Sequence, residues 1–270
     1  MHREGQMKWG QSAVGYRLSG QGPVLVLCFH GYGESAAGFD FLGKYAGTAY
    51  CFLAIDLPWH GRTEWQDGDL KPAVLQTLIN EICEKETIQA QQQYLMGFSM
   101  GGRIALALYE INPVKYQRLI LLAPDGLKVN PWYRLATRSW AGNRFFALTM
   151  SKPGWFLGLL KLMNRFGMVN ASIYKFVHFY IGDKQVRALL YKRWTCLRLF
   201  SPSLQQIRQA ALRHHTEIRL LYGIHDRIIR PGRGEKFIRG LEAQARLRMI
   251  HSGHQLLHEK HVTEILPALQ

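Results

Sequence analysis

Gly97-Phe98-Ser99-Met100-Gly101 is the stretch whose residue types and spacing suit covalent chemistry. A serine between two near glycines, where an apolar run gives way to helix formers, is a nucleophile held out on a tight bend. A side chain at either glycine would meet neighbouring backbone, so the bend needs both. At the N-terminus of the following helix, unpaired N–H groups favour negative charge developing beside Ser99. The hydroxyl is inert at neutral pH without a base, and the base needs an acid to orient it. Both have candidates downstream. Asp226 follows the apolar run Arg219-Leu220-Leu221-Tyr222 and the turn Gly223-Ile224-His225, and Pro231 prevents an early helix. His254 follows the run ending at Ile250, on a Ser252-Gly253-His254 loop expected to lead into a helix.

These side chains need elements to hold them. Residues 93–96 predict a short buried strand before the serine, and residues 102–109 a helix after it. An earlier strand, Val24-Leu25-Val26-Leu27-Cys28-Phe29, ends in His30-Gly31-Tyr32-Gly33, and a further motif, Asp56-Leu57-Pro58-Trp59-His60-Gly61, lies downstream of it. Together with the serine, Asp226 and His254 segments, these motifs span residues 24 to 259 and resemble the α/β-hydrolase superfamily in content and order. The resemblance implies an α/β fold, a mostly parallel doubly wound sheet with an inserted helical cap. It implies Ser99 as nucleophile, His254 as general base and Asp226 as its orienter. It also implies an oxyanion hole made from the backbone N–H groups of Tyr32 and Met100.

Several residues carry a plainer reading beside the chemical one. Asp226 suits a turn that caps the next helix. Asp125 competes as the acid, but its Pro124-Asp125-Gly126 turn accounts for it structurally. His251, His254, His258 and His261 are spaced like metal ligands, yet no cysteine or His-Glu-x-x-His pattern accompanies them, so no metal is expected. His30, Asp56 and His60 are expected to order loops, whereas the bulk of Trp59 suits a substrate contact at the pocket mouth. Gly31-Tyr32-Gly33 lacks the following lysine–serine or lysine–threonine pair of a phosphate loop.

The 270 residues suffice for an α/β core with an insertion. The expected division is a core of residues 1–126 and 216–270 with a cap at 127–215. The cysteines Cys28, Cys51, Cys83 and Cys196 show no pairing pattern and suit a reducing compartment. The N-terminal segment has no signal-peptide run, and the apolar stretch from Trp155 to Met163 is too short to span a bilayer. A cytoplasmic protein, free or peripheral at the inner membrane surface, is expected.

The net charge of +15 is uneven. Residues 127–215 hold fifteen Lys or Arg against one acid, Asp183, while the rest of the chain is near neutral. The same segment is rich in aromatics, including Trp132, Trp140, Trp155, Tyr191 and Trp194, many at helical spacing. One negative charge against fifteen positive ones is costly self-repulsion unless an anion compensates. An anionic membrane surface and an anionic acyl substrate both answer to it, and the absence of any partner stays open as well. Nucleic acid is not expected, because no recognition motif accompanies the charge.

The expected function is hydrolysis of a carboxylic ester or thioester of a hydrophobic acyl group through a Ser-His-Asp acyl-enzyme, with no cofactor. A C–C bond hydrolase or acyltransferase on the same triad, and a non-catalytic binding protein on a hydrolase fold, remain as alternatives. Families whose elbow nucleophile is aspartate are disfavoured.

Overall fold

The computed structural model describes residues 2–128, 131–169 and 171–270. Eight strands form one sheet: β1 (His2–Trp9), β2 (Ser12–Gly20), β3 (Val24–Phe29), β4 (Tyr50–Ile55), β5 (Gln92–Phe98), β6 (Arg118–Leu122), β7 (Glu217–Gly223) and β8 (Ala245–Ile250). Their spatial order is β1-β2-β4-β3-β5-β6-β7-β8. β1 and β2 form a hairpin across Gly10, whose φ of +53° favours glycine. β2 is antiparallel to β4, and every later pair is parallel.

The inner strands are apolar on both faces, as parallel strands covered by crossover helices must be. Leu27, Leu95, Ile120, Leu121 and Leu220 are fully buried. In β3 and β6 no residue is exposed, so period-2 alternation is absent where the sheet is most enclosed.

Eleven α-helices appear among the described residues: α1 (Asp40–Tyr45), α2 (Pro72–Lys85), α3 (Met100–Ile111), α4 (Pro131–Arg138), α5 (Trp140–Ser151), α6 (Gly154–Arg165), α7 (Ala171–Gly182), α8 (Lys184–Cys196), α9 (Leu204–His214), α10 (Gly232–Ile238) and α11 (Val262–Ile265). None is long and apolar enough to cross a membrane. α3 starts at Met100, directly after the β5 turn, and ten of its twelve residues are buried.

The chain divides into two compact units, Met1–Val129 with Leu199–Gln270, and Asn130–Arg198. The second unit is narrower than the 127–215 segment expected. α9 belongs to the sheet-bearing unit because Ile207 and Ala211 are fully buried and the helix packs on α3. Two further contacts hold it there: the Arg208 guanidinium donates to the Arg239 carbonyl at 2.6 Å, and Gln244 Nε2 donates to the Ala211 carbonyl at 2.9 Å. Helical periodicity marks α9 as amphipathic but does not say which unit its apolar face meets.

The second unit, α4 to α8, is held by its own aromatics. The Tyr133 ring meets Trp194 edge-on at 5.1 Å, and Phe146 lies 5.4 Å from Tyr191 and 5.7 Å from Trp194. Its single acid, Asp183, caps α8 by accepting from the Gln185 and Val186 N–H groups at 2.8 and 2.9 Å.

Cys28, Cys51, Cys83 and Cys196 form no disulfide among the described residues. Burial pushes the Cys28 thiol well up and that of Cys83 up to about 11, so both stay protonated at neutral pH.

The tightest packing constraint is the seat of α3 against β3. A Cβ on Gly101 would lie 1.8 Å from the Phe29 carbonyl oxygen, and one on Gly97 would lie 2.4 Å from the Gly101 carbonyl oxygen. Gly101→Ala is therefore expected to destabilise the protein by about 3 kcal/mol or more, through backbone displacement at the sheet edge. A chemical-denaturation midpoint unchanged from the parent protein would contradict this.

Candidate active site

Four parallel strands end at one sheet edge, and the candidate residues follow their C-terminal ends, where open α/β sheets place ligands. Tyr32 lies beyond β3, Ser99 beyond β5, Asp226 beyond β7 and His254 beyond β8. Phe29 and Gly97 are register partners in neighbouring strands, so the β3 and β5 loops leave the sheet side by side.

Ser99 occupies the left-handed half of backbone space, with φ +50° and ψ −114°. This conformation is unfavourable for a non-glycine residue and persists because its surroundings fix it. The Ser99 N–H donates to the Leu122 carbonyl at 2.9 Å. Its own carbonyl accepts from the Gly102 and Asp125 N–H groups at 2.9 and 2.8 Å. The bend is thus clamped to the end of β6 as well as to α3.

The His254 ring stands between Ser99 and Asp226. Its Nδ1 donates to Asp226 Oδ2 at 2.7 Å, and its Nε2 lies 3.0 Å from the Ser99 hydroxyl oxygen. With the proton on Nδ1, Nε2 is an acceptor facing the serine, the tautomer a general base requires. Phe98 flanks the imidazole with ring centroids 5.3 Å apart.

The Asp226 side chain is completely buried. Its other oxygen, Oδ1, accepts from the Ile228 and Ile229 N–H groups at 2.7 and 2.9 Å. Asp226 thus bonds its own turn through one oxygen and His254 through the other; it does not cap the next helix, α10, which starts at Gly232 and has no side-chain cap. The two downstream loops are also bonded to each other, since the His225 N–H donates to the Ser252 carbonyl at 3.0 Å. Gly223 permits that approach: a Cβ there would stand 2.1 Å from the Gly253 carbonyl oxygen.

The competing acid lies elsewhere. Asp125 Oδ1 accepts from the Gly126 N–H at 2.8 Å, and Oδ2 lies 3.6 Å from the Arg103 guanidinium. It meets Ser99 through its backbone N–H alone.

As the first residue of α3, Met100 has no acceptor for its N–H within the helix. The Tyr32 loop is brought alongside by Gly31, where a Cβ would lie 3.0 Å from the Phe98 ring. His30 fixes the start of this loop. Its Nδ1 donates to the Gly31 carbonyl at 2.8 Å, and its Nε2 accepts from the Leu57 N–H at 3.0 Å. The His60 ring packs against His30 at 5.0 Å and edge-on against Tyr32 at 5.9 Å. Asp56, buried, accepts from the Ala36 and Arg62 N–H groups at 2.7 and 3.0 Å, so it holds its loop. Trp59 is half-buried in that same loop, with φ +64°.

The four spaced histidines go to separate partners. His254 serves Ser99 and Asp226, His261 Nε2 lies 2.9 Å from the Ser252 hydroxyl, His258 Nδ1 accepts from the Lys260 N–H at 3.1 Å, and His251 faces His225. Burial lowers the His261 pKa. No cluster of three or more potential metal ligands forms among the described residues. The helix expected directly after His254 begins later: residues 255–258 are irregular, and α11 follows between two short 3-10 turns.

One link had no signal in the sequence. Glu34 Oε2 accepts from the Gly31 N–H at 3.1 Å, and Oε1 accepts from Gln255 Nε2 at 2.6 Å. It ties the Tyr32 loop to the residue after His254 across 221 positions of chain. A lone glutamate after a glycine turn has no spacing pattern that would single it out.

The chain matches the model of the Alpha/beta hydrolase family over residues 25–268 and belongs to that family. It is 23% identical over 258 residues to an uncharacterized hydrolase of Bacillus subtilis, covering 88% of this chain and 86% of that one. It is 30% identical over 115 residues to a mouse serine hydrolase-like protein, covering 42% of this chain and 36% of the relative. The chain thus spans only about a third of several curated relatives that it matches, including the mouse protein. Solved structures share the fold. An esterase from Thermogutta terrifontis superposes with TM-score 0.66 at 17% identity, covering 99% of this chain and 96% of that one. A thioesterase domain from the curacin biosynthetic pathway superposes with TM-score 0.64 at 16% identity, with full coverage of both chains.

The two aspartates are separable by experiment. Asp226→Asn should slow covalent labelling of Ser99 by a fluorophosphonate about a thousandfold, because the amide favours the wrong imidazole tautomer. Asp125→Asn should label at close to the parent rate. The reverse order would move the acid to Asp125.

Proposed function

We propose that this chain is a serine hydrolase that cleaves carboxylic esters or thioesters of hydrophobic acyl groups through an acyl-enzyme. The observation that carries the proposal is the hydrogen-bonded row Ser99–His254–Asp226, with spacings of 3.0 and 2.7 Å. Nucleophile and base are already within proton-transfer reach, and the base carries its proton on the far nitrogen.

In the first half-reaction, His254 Nε2 takes the Ser99 proton as Oγ bonds to the acyl carbon. Asp226 stabilises the imidazolium that results. The carbonyl oxygen becomes an oxyanion, held by the N–H groups of Met100 and Tyr32, and losing one such donor typically costs about 3 kcal/mol of transition-state stabilisation. His254 then gives its proton to the departing alcohol or thiol as the tetrahedral centre collapses. In the second half-reaction, His254 deprotonates water, which attacks the acyl carbon. The acid leaves as the proton returns to Ser99. Trp59, in the loop that His60 ties to Tyr32, contacts the acyl group in this reading.

The reading draws support from the family membership and from esterases and thioesterases sharing the fold. It is tested with a series of acyl esters and acyl thioesters of increasing chain length. Ser99→Ala should abolish both turnover and fluorophosphonate labelling, and His254→Ala should lower turnover by about a million-fold. Labelling that persists in Ser99→Ala would overturn the nucleophile. A labelled serine with no ester or thioester turned over would favour acyl transfer or C–C cleavage instead.

A further inference from the structure

We propose that the helical unit Asn130–Arg198 docks onto an anionic phospholipid surface through one face of α5 and α6. α6 wears its apolar stripe outward. Trp155, Leu159, Leu162 and Phe166 recur at steps of four, three and four residues, which places them along one side of the helix. Their exposures are 44, 47, 51 and 70%, whereas Leu160 is the one buried residue of α6. A helix packed only for a water-soluble fold turns such a stripe inward.

The neighbouring helix extends the face. The Phe145 ring meets Trp155 at 5.2 Å, joining the exposed Phe145 and Leu148 of α5 to the α6 stripe. Met168, just past α6, is 70% exposed as well. Large exposed apolar surface of this extent marks an interaction site.

The charge selects the occupant. Residues 130–198 contain twelve Lys or Arg and one acid, and that acid, Asp183, is engaged at the N-terminus of α8. Lys161 and Arg165, one helical turn apart, flank the α6 stripe, and Arg144 and Lys152 are exposed on or beside α5. The Arg144 guanidinium lies over the Trp140 ring at 5.3 Å. Apolar side chains bordered by cations match the boundary between acyl chains and anionic headgroups: the stripe enters the boundary while lysine and arginine reach the phosphates. α6 has 12 residues, too few to span a bilayer, so it would lie in the surface plane. A protein partner for the same face would have to offer an apolar groove rimmed with acids. A second copy of this chain, with the same excess of cations, does not.

Flotation of the full chain with vesicles tests this. Binding is expected to vesicles of equal parts phosphatidylcholine and phosphatidylglycerol at low salt, to be released at about 0.5 M salt, and to be weak on phosphatidylcholine alone. Lys161→Glu/Arg165→Glu and Leu159→Gln/Leu162→Gln should each weaken binding by about tenfold or more. Both variants should retain fluorophosphonate labelling of Ser99 at the parent rate, which reports that they are folded. Ser99→Ala should bind vesicles like the parent, so docking and chemistry fail independently. Absence of binding to the mixed vesicles at low salt overturns the proposal. So does binding indifferent to both double variants, or a dimer in solution that Leu159→Gln/Leu162→Gln dissolves.

Discussion

The contact on which the rest of the site depends is the approach of the first turn of α3 to the end of β3. The Gly101 backbone lies so near the Phe29 carbonyl that no Cβ fits between them. This closeness lets a strand become a helix without an intervening loop, and it forces Ser99 to φ +50°. Strain of this kind costs about 1–3 kcal/mol and survives only where neighbours over-determine it. Here the neighbours are backbone groups: the Leu122 carbonyl on one side, the Gly102 and Asp125 N–H groups on the other. Two inner strands and a helix terminus hold the serine, so its position follows from the sheet rather than from a mobile loop.

The partners of Ser99 are held by a different economy. A carboxylate with no exposed side-chain surface is expensive unless its charge is met by donors. Asp226 meets it with three N–H groups, two from the backbone of its own turn and one from His254. Hydrogen bonds to a charged group contribute about 1.5–3 kcal/mol each, so the turn bonds serve stability while they aim Oδ2 at the imidazole. Gly223 and the bonded 225 and 252 backbones keep the two loops at fixed separation.

Much of this was legible from local spacing. The flanked serine, the chain order of aspartate and histidine, and the glycine-bounded loop after β3 are short-range patterns, and the sheet brings them together at its C-terminal edge. What spacing does not carry is where a side chain finds a distant partner. The division of Asp226 between turn and imidazole needs both oxygens located in space. Glu34 bridges loops 221 residues apart and has no pattern of its own. α9 illustrates the same limit for packing: its period shows an apolar face, but only the burial of Ile207 and Ala211 and the packing of the helix on α3 assign it to the sheet-bearing unit. The delayed helix after His254 shows a boundary that propensity misses, because Gln255 is bonded to Glu34 and Leu256 and Leu257 are buried in the core.

The charge is also divided in a way that a whole-chain figure conceals. Most of the +15 resides in α4 to α8, while Ser99, His254 and Asp226 all belong to the sheet-bearing unit. The helical unit must meet a different requirement, that of keeping twelve cations beside a stripe of exposed Trp, Leu and Phe. In water, the stripe and the charges work against each other, one favouring self-association and the other opposing it. An anionic apolar boundary, as proposed above, would relieve both costs at once.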